Sequence, residues 1–247
     1  MKRKIKHKKL LITLGIIFSV FLIIFATFGI YVSIYYHAKD YAKSCLVSSN
    51  IVEVKKEKNK ITFIPNEQEI KAGFIFYPGG KVEYTSYAPL MNEFAKKGIL
   101  SILLKMPFNL AVFDTNAADG IISSYEDISS WYIGGHSLGG SMAASYVSKH
   151  LDEFDGLLLL GSYSTSNLKD SNLNVISIYG SNDQVLKHQK YNKYKDNLPD
   201  LTKEYIIDGG CHSYFGDYGH QKGDGNPTIT LQEQIEISAT IFSENIK

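Results

Sequence analysis

The segment Gly135-His136-Ser137-Leu138-Gly139 has the residue types and spacing most directly suited to chemistry. It fits the pattern G-x-S-x-G. It follows an apolar run, Trp131–Gly134, that reads as a strand. It precedes a stretch, Ser141–His150, that reads as a helix. In that setting the glycines permit a sharp strand-to-helix turn and lift Ser137 to a strained, exposed tip. A serine hydroxyl is a weak nucleophile near neutral pH, so it needs a base, and the base needs an orienting acid. The order that accompanies such a turn is Ser, then Asp or Glu, then His. Val175–Tyr179 reads as a strand, and the short loop after it ends at Asp183. Tyr205-Ile206-Ile207 is again a strand, followed by two glycines, Cys211 and His212. Asp183 is the expected acid and His212 the expected base. The rival base is His220, deeper in a Gly/Asp-rich loop. His136 lies inside the turn, His150 at a helix end, and His188 too early for the strand order.

Acyl chemistry also needs N–H donors for a developing oxyanion. One is expected at Leu138, directly after the serine. The second is expected from the glycine-rich loop Tyr77–Val82, at Gly80, with Lys81 as the alternative. Phe108, Asn109, Tyr163 and Tyr214 are expected as pocket walls from their loop positions. No metal constellation is visible; the stretch Asp217–Asp224 lacks calcium-loop spacing. No dinucleotide or phosphate-loop fingerprint occurs, so no cofactor is expected.

The elements that must position these groups read as one α/β domain. Ile51–Val54 and Ile61–Ile64 suggest an antiparallel hairpin. Ala72–Tyr77, Ile99–Leu104, Trp131–Gly134, Gly156–Leu160, Val175–Tyr179 and Glu204–Ile207 are short apolar runs with helical stretches between most of them, among them Tyr84–Lys97 and a closing Leu231–Phe242. Near-continuous apolar strands alternating with helices indicate a mostly parallel sheet of about eight strands, covered on both faces. Only 14 residues separate Leu160 from Val175, so no large cap is expected there.

Charge is distributed unevenly over the 247 residues. The first nine carry six positive charges, whereas the other 238 hold 20 basic and 25 acidic side chains. Arg3 is the sole arginine. The body thus lacks guanidinium forks and has a negative balance, which argues against nucleic acid as a partner. Leu10–Tyr36 runs 27 residues without a charge, long enough to cross a bilayer, and ends in interfacial tyrosines. The expected division is a cytoplasmic basic segment at 1–9, a single transmembrane signal-anchor at 10–36, a linker at 37–50 and an extracytoplasmic domain at 51–247.

Over residues 51–247 the chain resembles the α/β-hydrolase superfamily, and within it a bacterial group of small, membrane-anchored members. The resemblance is carried by FYPGGKVE at Phe76–Glu83, KMPFNLAVF at Lys105–Phe113, GGHSLGG at Gly134–Gly140, YGSND at Tyr179–Asp183 and GG-x-H-x-x-FGDYG at Gly209–Gly219. It implies an α/β-hydrolase fold and a serine hydrolase with Ser137, Asp183 and His212 as nucleophile, acid and base. Cys211 departs from the polar residue expected at its position. The expected activity is cleavage of a small-molecule or lipid-like carboxylic ester, or a related acyl bond. Two alternatives stay open: acyl transfer to an envelope hydroxyl, and a non-catalytic binding module on the same fold.

Overall fold

The computed structural model describes residues 2–246, with side chains from residue 11 onward. It divides into two units, Met1–Tyr35 and Tyr36–Lys247. The first is a single helix, α1 (Lys2–Ser33). Its segment Leu11–Ser33 spans 23 residues with a mean hydropathy of 2.7, long and apolar enough to cross a membrane.

The second unit is built on eight strands: β1 (Val52–Lys56), β2 (Lys60–Pro65), β3 (Ala72–Tyr77), β4 (Ile99–Leu104), β5 (Trp131–His136), β6 (Gly156–Leu160), β7 (Asn174–Gly180) and β8 (Lys203–Ile207). They lie in the order β1-β2-β4-β3-β5-β6-β7-β8. β2 runs antiparallel to both β1 and β4, and the remaining pairs are parallel. Every residue of β3, β4, β5 and β6 is buried, as near-continuous apolar runs require of strands covered on both faces, with Ser101 and His136 the polar residues among them. The chain passes from β3 to β4 on one side and then to β5 on the other. That reversal opens a crevice at the carboxyl ends of β3 and β5, where ligands of open parallel sheets bind.

The covering helices are α3 (Ala88–Lys96), α4 (Leu138–Val147), α5 (His188–Tyr194) and α6 (Leu231–Asn245); a short α2 (Asp40–Ser44) precedes the sheet. α3 and α6 cover one face, where Phe74 meets Phe94 at 5.3 Å and Phe242 at 4.8 Å between ring centroids. Each fully buried phenylalanine contributes about 1.5–3 kcal/mol. Ala143, Ala144 and Val147 of α4 join the cluster on the other face. α6 starts with a capping box, in which Thr230 and Glu233 satisfy each other's backbone N–H groups.

Two helices begin elsewhere than their sequence pattern suggests. α4 starts at Leu138 rather than Ser141, because Gly139 and Gly140 belong to the helix. A Cβ on Gly139 would run into the Tyr77 carbonyl oxygen, so glycine lets the helix sit directly on β3. The expected helix at Tyr84–Lys97 opens as a 3-10 turn over Tyr84–Tyr87 and becomes α-helical at Ala88. Pro89, in its first turn, lacks an N–H that would have no partner there. The loop from Gly161 to Leu173 contains neither helix nor strand.

Candidate active site

Ser137 joins β5 to α4 with φ 53° and ψ −121°, a conformation that L-residues rarely adopt. Such backbone costs on the order of 1–3 kcal/mol and persists only where neighbours impose it. Here the Ser137 N–H donates to the Leu160 carbonyl at 2.9 Å. The Ser162 hydroxyl donates to the Ser137 carbonyl at 2.6 Å.

Asp183 lies beyond the end of β7 and His212 beyond the end of β8, and these strands are neighbours. His212 Nδ1 is 2.7 Å from Asp183 Oδ2. The other carboxylate oxygen accepts the N–H groups of Val185 at 2.9 Å and Leu186 at 2.8 Å. Both side chains are almost wholly buried. With Nδ1 engaged, His212 Nε2 is buried and has no hydrogen-bond partner among the described residues. Ser137 and His212 line the same pocket of about 230 Å³, without a hydrogen bond between them.

Gly80 and Leu138 meet at the mouth of the crevice: a Cβ on Gly80 would stand 2.8 Å from Leu138 Cδ2. The Leu138 N–H is the first of α4, so it has no acceptor within the helix. The Lys81 N–H donates to the Asn109 carbonyl at 2.8 Å, which commits it within the loop.

A model of the alpha/beta hydrolase family matches residues 73–236. The chain belongs to the alpha/beta hydrolase family. Among solved structures, it is similar to an esterase/lipase from an uncultured bacterium, with a TM-score of 0.59 and 13% identity over 83% of this chain and 88% of that one. It is also similar to a "predicted CIB-like hydrolase" from Thermoplasma acidophilum, with a TM-score of 0.55 and 13% identity over 78% of this chain and 99% of that one. No curated protein matches the sequence.

In this alpha/beta hydrolase, Tyr163 lines the pocket with Ser141, Ser162 and Lys187. Its ring stacks on Tyr194 at 5.4 Å. Phe108, Asn109 and Tyr214 are not brought into that pocket. Phe108 borders a separate hollow with Asn59 and Lys105. Asn109 serves through its carbonyl on Lys81, and half-buried Tyr214 sits in the 3-10 turn just after His212. His220 is exposed. Cys45 and Cys211 are both free thiols, and burial pushes the Cys211 thiol up to about 11, so it stays protonated at neutral pH.

Four supporting residues escaped sequence reasoning. Gly161, at φ +51°, passes beneath the Asp183–His212 pair, where a Cβ would lie 2.9 Å from His212 Nδ1. Asp224 accepts the His212 N–H at 3.2 Å, the Ser213 N–H at 2.8 Å and the Ser213 hydroxyl at 2.6 Å. Burial alone would raise its carboxyl, but these hydrogen bonds outweigh burial and hold it below the usual value. Gln234 on α6 grips the Cys211 backbone at both ends, accepting its N–H at 2.9 Å and donating to its carbonyl at 2.7 Å. Tyr87 Oη accepts the Gly79 N–H at 3.1 Å and lies 2.8 Å from His136 Nδ1. His136 in turn lies 4.4 Å from the His212 ring. Burial, with the neighbouring His212 acting in the same direction, keeps His136 well below the usual imidazole value and therefore neutral. A signal for Asp224 existed in the Asp217–Asp224 run; Gly161, Gln234 and Tyr87 carry none that local spacing reveals.

Proposed function

We propose that this alpha/beta hydrolase is a membrane-anchored serine hydrolase that cleaves carboxylic esters or related acyl bonds. The observation that carries the reading is the shared pocket of Ser137 and His212, with His212 Nδ1 tied to buried Asp183. Ser137 Oγ attacks the acyl carbonyl and its proton passes to His212 Nε2. Asp183 holds the ring and stabilises the imidazolium that forms. The oxyanion takes up the N–H groups of Leu138 and Gly80. His212 then returns the proton to the leaving alcohol, and an acyl-Ser137 remains. Water, deprotonated by His212, releases the acid.

A pocket of about 230 Å³ suits a short acyl group better than a long chain. Helix α1 serves as the anchor. The six positive charges before it hold the N-terminus in the cytoplasm and put the catalytic unit outside. The deciding experiment treats the purified full chain with a fluorophosphonate probe and maps the adduct by mass spectrometry. A single adduct on Ser137 is expected. Folded protein that takes up no probe would remove the hydrolase reading in favour of a binding module.

A further inference from the structure

The structure describes a segment that the catalytic reading leaves unused, the stretch from Tyr36 to Leu46 that precedes the sheet. Its backbone forms a bridge to the loop that carries Gly80. The Tyr36 N–H donates to the Lys81 carbonyl at 2.8 Å, and the Glu83 N–H donates to the Tyr36 carbonyl at 2.8 Å. Lys81, at φ 60°, is thus gripped from both sides, since its own N–H is held by Asn109. The Glu83 carboxylate accepts the Ala38 N–H at 3.1 Å and the Thr85 hydroxyl at 2.8 Å.

The same segment also ties down the loop that follows His212. The Lys39 N–H donates to the Asp217 carbonyl at 2.9 Å. The Ala42 N–H donates to the Asp217 carboxylate at 2.9 Å. Tyr36 Oη accepts the Lys222 N–H at 3.0 Å, and its ring lies 5.6 Å from Tyr218. Ala38 and Ala42 are buried, so small side chains let the strap lie flat on the domain. A flexible tether would leave these backbone groups to water. Here one strap, with a β-bridge at Tyr36 leading into α2, begins three residues after α1 ends and joins the oxyanion loop to the base loop.

We infer that Tyr36–Leu46 is a positioning strap for catalysis, with Glu83 and Asp217 as its fastening residues. They act through Gly80 and His212 and touch no substrate. Donors for an oxyanion must sit about 2.7–3.1 Å from it, so a loop released from the strap loses transition-state binding before it loses substrate binding. The inference rests on the roles proposed above for Gly80, Ser137 and His212.

The test uses the full chain in detergent micelles. In Glu83→Ala and Asp217→Ala, kcat for a short-chain ester and the rate of fluorophosphonate labelling should fall by ~10- to 100-fold, with KM changed less than about twofold. Glu83→Gln and Asp217→Asn keep an acceptor oxygen and should recover most of the rate. Wild-type protein that never labels sinks the hydrolase reading itself. Labelled wild type with alanine variants of unchanged rate sinks the strap alone. Should the alanine variants not fold, amide exchange of wild type decides. Coupling is reciprocal, so phosphonylation of Ser137 should slow exchange at Tyr36, Ala42 and Glu83. Identical exchange with and without the adduct would overturn the proposal.

Discussion

His212 Nδ1 lies 2.7 Å from Asp183 Oδ2, and neither side chain is open to solvent. In a proton-shuttling role this pair works as one unit with Ser137. Ser137→Ala and His212→Ala should each lower kcat by ~10⁶, and Asp183→Asn by ~10⁴. Far-UV circular dichroism should stay unchanged in all three. His220→Ala should leave the rate within about threefold, since only a group in reach of the reacting proton can serve as base. Loss of activity in His220→Ala, with a mild His212→Ala, would reverse the base assignment.

Gly161→Ala tests the space beneath that pair. The added Cβ would stand 2.9 Å from His212 Nδ1 and 3.1 Å from Asp183 Oδ2, on a backbone at φ +51°. The left-handed backbone alone costs about 1–2 kcal/mol. The displaced pair should cost a further ~10²-fold in kcat. Gly120→Ala is the control: its φ is +71°, with nothing within 4 Å of the added atom. It should lose similar stability and no activity. Equal kcat for the two variants would show that Gly161 does not shape the pair.

Asp224 should stabilise the loop that carries His212 in a pH-dependent way. Its folded carboxyl lies below the ordinary value, burial being outweighed by bonds from Ser213, His212 and Gly225. A depressed carboxylate adds stability above its unfolded value of ~3.9 and loses it as pH falls through the folded one. Asp224→Ala strands buried donors and should cost on the order of 2–3 kcal/mol at pH 7. Denaturant unfolding at pH 7, 5 and 3.5 should show that gap constant at first and narrowing at the lowest pH. A gap that stays constant throughout would exclude the charge as its source.

His136 acts in the same direction as Asp224 on acidification, but nearer neutral pH. Burial keeps it neutral in the folded chain, whereas the unfolded imidazole takes a proton near ~6.5. The unfolded state therefore binds more protons below that pH, and stability falls as pH drops from ~6.5 toward the folded value, by at most ~1.4 kcal/mol per unit. Melting curves from pH 7.5 to 5.5 should fall more steeply for wild type than for His136→Asn. Parallel slopes would assign the acid sensitivity to other groups.

The orientation proposed for α1 is open to a direct check. Protease added to wall-stripped cells should remove the domain and leave a fragment containing residues 1–33. Full protection until lysis would place the domain in the cytoplasm and redirect the search for substrates.

Local signals in this sequence suffice for the strands and for the elbow. Ala72–Tyr77, Ile99–Leu104 and Gly156–Leu160 can be delimited residue by residue, because each is an apolar run, broken only by Ser101 in the second, bounded by glycine, proline or polar residues. The elbow around Ser137 is equally local, since its glycines act on their immediate neighbours. Pairing is different. That β4 lies between β2 and β3 follows from a parallel crossover whose partners are far apart in sequence, and no short window records it.

The same division runs through the site. Residue type and chain order single out Ser137, Asp183 and His212. Their approach depends on β7 and β8 lying side by side, and on Gly161 leaving room. The Lys81 N–H is held by a carbonyl 28 residues away in sequence, at Asn109. Residues 37–50 read as a linker from composition, yet part of that stretch hydrogen-bonds to Glu83 and Asp217, because small alanines let its backbone reach their carboxylates. Composition and periodicity report what each residue prefers as its immediate surroundings. Hydrogen bonds between distant loops depend on where the whole sheet has carried them, and only the folded chain decides that.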